Sequence, residues 1–359
     1  MELVKERWEN MSSDERLALK KASQREFEEQ AHAIQELGLS RAARRLVADD
    51  ARESDVVPAS TSASETPSVK FGCYCVEAGQ AIGEGGYSKV VRARSPEGVL
   101  VAVKVCSHSD GVDAATEVAI YKQLSSNYNL ELVFLPLLAS STSAPTPWLA
   151  FPFHTEGDLL EHLRQHRSVS GADLDAIVLQ LTRGTQLLHD ISIVHMDLKP
   201  NNLLWHPSTR HLRITDFGLS VFVDCTSGHY VGDVAGKAAG HYFYRAPELW
   251  PSTDARAWKW SADVWSCGCI IYEVAAGGPL MSQEAGRSTT GRRDVHQVIS
   301  AWCDVWQPIF NDAALRAFPT RRAIRVPPLW RTLVWQCCAP LHSSRPKKIG
   351  DVAREAFGR

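Results

Sequence analysis

The residues with the clearest chemical potential in this sequence are a run of glycines and a lysine. Residues 82–90, IGEGGYSKV, place three glycines between two stretches of strand-like composition. Because glycine has no Cβ, backbone N–H groups there can approach phosphate oxygens closely. Lys104 ends the apolar stretch VAVK, and Glu117 follows thirteen residues later as a candidate partner. A lysine held by a carboxylate in this way would bind two phosphates.

Each of these signals is weak when it stands alone. The glycines fit a simple turn equally well, and a lysine at a strand edge is usually a solvated end. No Gly-Lys-Ser/Thr follows the glycines and no helix begins at once, so a Walker phosphate loop is excluded.

A stronger set of motifs begins at residues 193–204, IVHMDLKPNNLL, which residues 216–218 (DFG) follow. This segment resembles the catalytic loop and metal-binding motif of eukaryotic protein kinases, and the glycines, the lysine and the glutamate precede it in that family's order. The resemblance covers about residues 73–356. The later motifs in the same order are residues 244–248 (YRAPE), residues 263–268 (DVWSCG) and Arg345.

The resemblance implies an enzyme that moves the γ-phosphate of ATP, with Mg²⁺, to a Ser or Thr hydroxyl of a protein. In that family, the aspartate at the position of Asp197 orients the hydroxyl and accepts its proton. The lysine at the position of Lys199 neutralises the moving phosphoryl group and is typical of Ser/Thr kinases. The implied catalytic residues are Asp197, Lys199, Lys104 and Glu117, and the implied Mg²⁺ ligands are Asn202 and Asp216.

The same resemblance implies which residues surround the nucleotide. Val90, Ala102 and Leu204 would sandwich the adenine, and Phe151 would be the gatekeeper before a hinge at residues 152–154. The proline in this hinge has no N–H group, but its carbonyl can accept from the adenine amine. The full implied set is Ile82, Gly83, Glu84, Gly85, Gly86, Tyr87, Ser88, Val90, Ala102, Lys104, Phe151, Pro152, His154, Asp158 and Leu204.

Ser88 replaces the last glycine of the family's loop with another small residue, and two further departures bear on activity. Met196 stands where an arginine usually pairs with a phosphate on the activation segment, a contact that methionine cannot make. We therefore expect activity that does not depend on that phosphate. His241 stands where Ser/Thr kinases carry a threonine whose hydroxyl bridges the catalytic aspartate and lysine. Its imidazole either donates to Asp197 or slows turnover.

Three functions are compatible with these residues to different degrees. An active Ser/Thr protein kinase is the leading one, and the alternative is a catalytically weak, pseudokinase-like scaffold that binds nucleotide. A small-molecule kinase is disfavoured by the full activation segment from residue 216 to 248, which builds a platform for a peptide. Arg245 in YRAPEL resembles the CMGC, or cyclin-dependent-kinase-like, group, although residues 279–331 do not match that group's usual insert.

The predicted strands and helices around these residues indicate an α+β fold with two lobes. The resemblance implies a bilobal kinase fold with a small antiparallel-sheet N-lobe and a larger helical C-lobe. Tyr121, His195 and Phe217 match the family's hydrophobic spine, so we expect them to pack rather than to react. The pattern predicts strands at residues 76–82, 89–93, 99–105, 130–138 and 148–153, a helix at 112–124 and mostly helices beyond.

The chain divides into three predicted parts. Residues 1–48 read as a helical extension, because Ser12 and Glu15 have capping-box spacing before an amphipathic pattern. This extension is either a solvated arm or a docking element for a regulatory partner. Residues 49–70 have too few large apolar side chains to fold and predict a disordered linker. The kinase domain is predicted at 71–359, with the N-lobe at 71–153 and the C-lobe at 154–359.

The composition of the chain limits the classes of partner that we expect it to bind. The 39 Lys and Arg residues nearly balance the 41 Asp and Glu residues, which removes the chain-wide positive charge that nucleic-acid binding needs. The sequence contains neither an apolar run of membrane-spanning length nor a secretory leader. The nine cysteines lack CxxC pairs and predict reduced thiols. We therefore expect a cytoplasmic protein, with the nucleus as the alternative, whose partners are ATP and a protein substrate.

Overall fold

The structure, a computed structural model, describes most of the chain from Val69 to Gly358. The described residues are 69–77, 81–84, 88–106, 114–125, 130, 133–143, 146–224, 230, 240–250, 259–281, 295–317 and 325–358. The predicted extension at 1–48 and nearly all of the predicted linker lie outside these residues. Gly85, Gly86 and Tyr87 of the glycine-rich segment lie outside them as well.

An antiparallel sheet forms the smaller lobe. Its order is β1-β2-β4-β5-β7-β6, and β3 pairs with β4. The strands are β1 (Lys70–Phe71), β2 (Tyr74–Val76), β3 (Gly83–Glu84), β4 (Ser88–Arg94), β5 (Leu100–Cys106), β6 (Ala139–Ser141) and β7 (Trp148–Pro152). The strands predicted at 89–93, 99–105 and 148–153 are therefore present, but the strand predicted at 76–82 is wrong, because only Val76 of its described residues lies in a strand, at the end of β2.

The two faces of this sheet differ because successive side chains of a strand point to opposite sides. On one face, Val101 and Val103 pack with Trp148 in a small apolar core. Ala102 and Lys104 point to the other face. The turn between β4 and β5 is closed by a hydrogen bond from the Gly98 N–H to the Ser95 carbonyl, at 2.9 Å. The hairpin thus delivers Lys104 to the face of the sheet that meets the larger lobe.

Helix α1 (Ala114–Ser125) lies between the sheet and the larger lobe and buries Glu117 together with its apolar side chains. The strand predicted at 130–138 is wrong. Of its described residues, only Phe134 makes a ladder contact, a single bridge to Ile214, and the strand of this region is β6. Pro136 lacks the N–H that a ladder needs, and Phe134 and Leu135 are buried in the core instead.

The larger lobe is built around one buried helix. Helix α4 (Trp260–Ala276) has every residue from Ser261 onward buried, and it packs against α3 and α7. Among the described residues, no helix is both long and apolar enough to cross a membrane. The other helices of this lobe are α2 (Leu159–His166), α3 (Gly171–Asp190), α5 (Val295–Val305), α6 (Asp312–Ala317), α7 (Pro328–Cys337) and α8 (Ile349–Phe357).

Two short two-stranded sheets in the larger lobe were not predicted. Their strands are too short, at two to four residues each, to show an alternating pattern in the sequence. The strands are β8 (Ile193–Val194) with β11 (Val221–Phe222), and β9 (Leu203–His206) with β10 (His211–Ile214). These sheets hold the ends of the two segments that carry the candidate site, from β8 to β9 and from β10 to β11. The two-lobed α+β fold class is confirmed.

Arg345 anchors the YRAPE segment to the helical lobe. Its guanidinium binds both carboxylate oxygens of Glu248, at 2.7 and 2.9 Å. It also donates to the carbonyls of Ala339, Ser261 and Pro340, and only 2% of the residue is exposed. A buried arginine is stable only when its donors are paired in this way.

We predict that Arg345→Ala lowers the free energy of unfolding by about 3–5 kcal/mol, because it leaves Glu248 and several carbonyls without their partner. Chemical denaturation measures this loss. The matched control is Arg354→Ala, which breaks an exposed pair with Asp351. That control should change the free energy by less than about 0.5 kcal/mol. Equal effects of the two substitutions would contradict the anchoring role.

Candidate active site

A lysine between two carboxylates marks the point where the lobes meet. Lys104 Nζ lies 2.8 and 2.7 Å from the two carboxylate oxygens of Glu117. It also lies 2.7 Å from Oδ1 of Asp216, 112 residues further along the chain. Three elements therefore meet here: strand β5, helix α1 and the segment after β10. The structure brings together the lysine, the glutamate and the aspartate that the sequence singled out.

The electrostatics of this cluster follow from burial and from charge. Burial disfavours the Lys104 ammonium, but the Asp216 and Glu117 carboxylates outweigh it and raise the pKa of Lys104 well above its ordinary value. Burial is the largest single influence on Asp216 and raises its pKa, but the charge and hydrogen bond of Lys104, together with the charge of Lys199, outweigh burial, so the pKa of Asp216 lies below its ordinary value. For the fully buried Glu117, burial wins over Lys104 and the pKa is raised.

Gly218, the residue after Phe217, lies against the Lys104 cluster with little space for a side chain. A Cβ on Gly218 would lie 3.1 Å from Lys104 Nζ and 3.3 Å from Asp216 Oδ1. Such contacts are tighter than a methyl group and an ammonium normally tolerate. The glycine of the DFG motif therefore has a packing reason here.

Asp197 lies at the centre of a second cluster. Its Oδ2 accepts hydrogen bonds from Lys199 Nζ at 2.5 Å and from Asn202 Nδ2 at 3.2 Å. Its Oδ1 accepts the backbone N–H of His241 at 3.0 Å. Asn202 Nδ2 also donates to the Asp197 carbonyl, at 2.8 Å. This carboxylate is 7% exposed in total and is oriented by donors on both sides.

Asp263 holds the loop that carries Asp197, and the sequence analysis assigned it no role. Its carboxylate accepts the backbone N–H groups of His195 at 2.8 Å and Met196 at 2.9 Å. Met196 has a φ of 66°, a conformation that a non-glycine residue adopts only when the surroundings impose it. A signal was present in the sequence, because Asp263 is the only acid in the first turn of α4, a helix whose residues are mostly apolar.

His195 links this loop to the segment before Asp216. Its Nε2 lies 3.0 Å from the Thr215 carbonyl, and the Asp197 N–H donates to its Nδ1 at 3.3 Å. A carbonyl can only accept and an N–H can only donate, so Nε2 is the donor and Nδ1 the acceptor of this ring. The centroid of the Phe217 ring lies 5.1 Å from that of the His195 ring and 5.0 Å from that of the Tyr121 ring. The three predicted spine residues are thus in contact.

The residues expected around the nucleotide lie along the sheet and the hinge. Strand pairing places Val90 opposite Lys104, and Ala102 opposite Phe151. Directly paired residues of an antiparallel sheet share a face, so these four side chains share the face above the cleft. Beyond them, Ile82 donates its N–H to the Val90 carbonyl, at 2.9 Å. Gly83 pairs with Val90, and Ser88 begins β4.

The lower boundary of the cleft is set by Asp158 and Leu204, which form an isolated bridge. Asp158 also caps helix α2, because its Oδ1 accepts the Glu161 N–H at 2.8 Å. One of the two carboxylate oxygens of Asp158 is therefore engaged in capping this helix. Pro152 ends β7, and His154 follows it with a partly buried side chain whose ring lies 5.9 Å from that of His206.

Comparison with known proteins places this arrangement in a family. Residues 76–356 match the protein kinase domain family. The chain belongs to this family. The match covers more than half of the sequence and includes both clusters, and protein kinase domains in general use ATP and Mg²⁺.

Individual relatives of this kinase come from several groups. It is 34% identical to cyclin-dependent kinase 20 of Pongo abelii over 236 residues, which are 63% of this chain and 61% of that protein. It is 32% identical to cyclin-dependent kinase 7 of Caenorhabditis elegans over 213 residues, 57% of this chain and 61% of the relative. It is 26% identical to an Aurora kinase of Yarrowia lipolytica over 221 residues, 61% of this chain and 57% of the relative.

The share of each relative that this chain covers limits what those relatives indicate about the whole protein. The chain covers less than two thirds of the length of each of these curated relatives. Relatives named cyclin-dependent kinases are present beside Aurora kinases, so CMGC-like homologues exist for this kinase. Assignment to the CMGC group itself stays a prediction.

His241 contacts the catalytic loop of this kinase through its backbone. Its N–H, and not its imidazole, donates to Asp197, while its Nδ1 accepts the Phe243 N–H at 3.4 Å. The preceding Gly240 has a φ of 74°, and a Cβ there would lie 2.3 Å from the Met196 carbonyl oxygen. Only glycine therefore allows residue 241 to approach Asp197 so closely.

We predict that the stability contributed by neutral His241 is lost as the pH falls. Burial lowers the pKa of His241, the charges of Lys199 and Arg245 lower it further, and Asp197 offsets only part of this. Below about pH 6.5 the unfolded chain therefore binds a proton more readily than the folded chain. The contribution is fully present above about pH 6.5 and decreases below it.

Chemical denaturation of the wild type and of His241→Gln at pH 7.5 and 5.5 isolates this contribution. The free energy of unfolding of the wild type relative to the variant should decrease at the lower pH. A difference that is constant, or that grows on acidification, would show that the folded chain does not disfavour the protonated ring.

Proposed function

We propose that this chain is a protein kinase that transfers the γ-phosphate of Mg-ATP to serine or threonine hydroxyls of a protein. The observation that carries this proposal is the position of Lys104 Nζ, which is within 2.8 Å of both Glu117 and Asp216. A strand, a helix and a loop distant in sequence must all be in place for this contact to form. The proposal therefore rests on an assembled site and not on motifs alone.

Lys104 holds the phosphates of the nucleotide in this proposal. Its three ammonium protons are shared between the carboxylates and the phosphate oxygens that enter the cleft. Glu117 fixes the ammonium and stays buried. Bound ATP supplies the phosphoryl group, and Mg²⁺ supplies positive charge to its oxygens. The raised pKa of Lys104 keeps it charged throughout.

The donor chemistry of Asp216 and Asn202 fits Mg²⁺. Asp216 uses Oδ1 for Lys104, and 39% of its side chain is exposed, which keeps its carboxylate accessible from the cleft. The amide nitrogen of Asn202 is committed to Asp197, so the oxygen of that amide remains as a ligand. Both groups offer oxygen, the ligand atom that this cation prefers.

Asp197 and Lys199 act on the substrate hydroxyl and on the charge that moves. Asp197 accepts the proton of the hydroxyl, since donors on both of its carboxylate oxygens orient it. Lys199 lies 2.5 Å from it and faces the same opening, where it offsets negative charge on the phosphoryl oxygens. A pseudokinase-like scaffold would not need this complete set, and no observation favours one.

We predict different defects for two aspartate substitutions. Asp197→Asn should lower the transfer rate by roughly 10²- to 10⁴-fold with nucleotide binding retained, because the amide cannot accept a proton. Asp216→Asn should remove both transfer and the Mg²⁺-dependent part of nucleotide affinity. Radiolabelled phosphate incorporation into a library of Ser, Thr and Tyr peptides measures transfer, and calorimetry with ATP measures binding.

The matched control for these variants is Asp173→Asn. Asp173 pairs with Arg210 on the surface of the larger lobe, with 42% of its side chain exposed. This control should transfer phosphate within about twofold of the wild type. The proposal fails if the wild type transfers no phosphate to any peptide, or if Asp216→Asn is as active as the wild type.

We also predict that activity does not require phosphate on the activation segment. Met196 is 4% exposed and apolar, so it offers such a phosphate no partner. The catalytic loop is held instead by Asp263, through the N–H groups of His195 and Met196. Complete phosphatase treatment should leave the transfer rate within about twofold. Loss of activity that rephosphorylation restores would refute this prediction.

The proposal of a further partner, besides the substrate, comes from the names of relatives and from the sequence. Two relatives carry names that state dependence on cyclin, a partner protein. The amphipathic pattern within residues 1–48 supports the proposal that this part binds a regulatory partner.

A further inference from the structure

Tyr121 has a polar group where packing alone needs none. It follows Glu117 by four residues on α1, so the two side chains lie on the same face of the helix. The residue is 1% exposed. Its ring packs against Phe151 at 4.9 Å and against Phe217 at 5.0 Å. A phenylalanine would fill the same space, so the hydroxyl needs a separate explanation.

The Tyr121 hydroxyl contacts the backbone of the aspartate beside Lys104. The Asp216 N–H donates to this oxygen at 3.2 Å, and Thr215 Oγ1 lies 3.3 Å from it. Since the hydroxyl accepts from Asp216, its own proton is available to Thr215. Burial raises the pKa of Tyr121 far above its ordinary value, so the proton stays on the oxygen.

These contacts continue to the catalytic loop. The Thr215 carbonyl accepts from His195 Nε2 at 3.0 Å, and the Asp197 N–H donates to His195 Nδ1 at 3.3 Å. The contacts therefore run from the Asp216 N–H through the Tyr121 hydroxyl to Thr215 Oγ1, and from the carbonyl of the same threonine through His195 to the Asp197 N–H. Tyr121 is the member of this chain that belongs to helix α1.

The backbone of Asp216 needs such support. Its φ is 66°, in the left-handed region that a side chain other than glycine disfavours. A residue held in this conformation relaxes unless its surroundings over-determine it. The side chain of Asp216 is held by Lys104, and its N–H is held by Tyr121. Loss of either contact favours a rotated peptide.

We infer that Tyr121 is a positioning residue whose hydroxyl holds Asp216 in the orientation that accepts Mg²⁺ and ties helix α1 to the catalytic loop. This inference rests on the proposed function and deepens it. It assigns the hydroxyl to metal binding and the ring to packing. The position of α1 is thereby transmitted to Asp216 by two residues, Glu117 through Lys104 and Tyr121 directly.

The test removes the hydroxyl and keeps the ring. Full-length Tyr121→Phe is titrated with ATP by calorimetry, once with Mg²⁺ and once with EDTA. The Mg²⁺-dependent gain in ATP affinity should fall roughly three- to tenfold, the size of one lost hydrogen bond. Affinity in EDTA should stay within about twofold, because the packing of the cleft is unchanged. The transfer rate at saturating Mg-ATP should fall in parallel.

Two further variants separate positioning from general stability. Thr215→Val removes the acceptor of the Tyr121 proton but keeps the Asp216 contact, so its loss of Mg²⁺-dependent affinity should be smaller and in the same direction. Tyr74→Phe, at a buried tyrosine of the sheet outside the cleft, should leave this gain unchanged. Melting temperatures show whether each variant is folded. If Tyr121→Phe is unfolded, Thr215→Val decides.

The outcomes distinguish the inference from the proposed function. A folded Tyr121→Phe variant with a wild-type gain in affinity from Mg²⁺ overturns the inference, and so does an equal loss in Tyr74→Phe. If Tyr121→Phe is unfolded, an unchanged gain in Thr215→Val overturns it. A wild type that binds Mg-ATP but phosphorylates no peptide overturns the proposed function, while the binding comparison still tests Tyr121.

Discussion

The buried Lys104 ammonium, held between the Glu117 and Asp216 carboxylates, joins the sheet of the smaller lobe to helix α1 and to the larger lobe. Removing the Lys104 and Glu117 charges from water costs several kcal/mol for each group unless it is paired, and the partly exposed Asp216 completes the pairing of Lys104. Strand β5, helix α1 and the segment after β10 are therefore stable in their observed positions only when all three meet. The requirement for pairing thus determines how the two lobes close on each other.

A second constraint comes from the interior of the larger lobe. Asp263, at the start of α4, binds two consecutive N–H groups of the catalytic loop and so stabilises the left-handed backbone of Met196. Because α4 is the most deeply buried helix of the structure, it provides a rigid support for this loop. Asp197 is consequently oriented by the core of the lobe, and Arg345 attaches the YRAPE segment to the same helix through the Ser261 carbonyl.

Sequence reasoning succeeded where a local pattern carries the information. The β4–β5 hairpin has strand composition and a turn signal, and Lys104 in an apolar strand required a carboxylate partner. It failed at residues 130–138, where an apolar run looks the same whether it enters a sheet or fills a core. It also left open whether the imidazole of His241 reaches Asp197, because nothing local distinguishes a side-chain donor from a backbone donor. The roles of Asp263 and of the Tyr121 hydroxyl depend on residues tens of positions away.

The kind of site can be read from the sequence, because the residue types of the protein kinase motifs and their order along the chain are local properties. The α+β class can be read there too, since strand-like and helical periodicities are also local. Three contacts depend instead on the folded chain: Asp216 meets Lys104 across 112 positions, the His241 N–H holds Asp197, and Tyr121 is bonded to Asp216. These are long-range contacts, and their geometry is set by how the whole core packs, which periodicity does not encode.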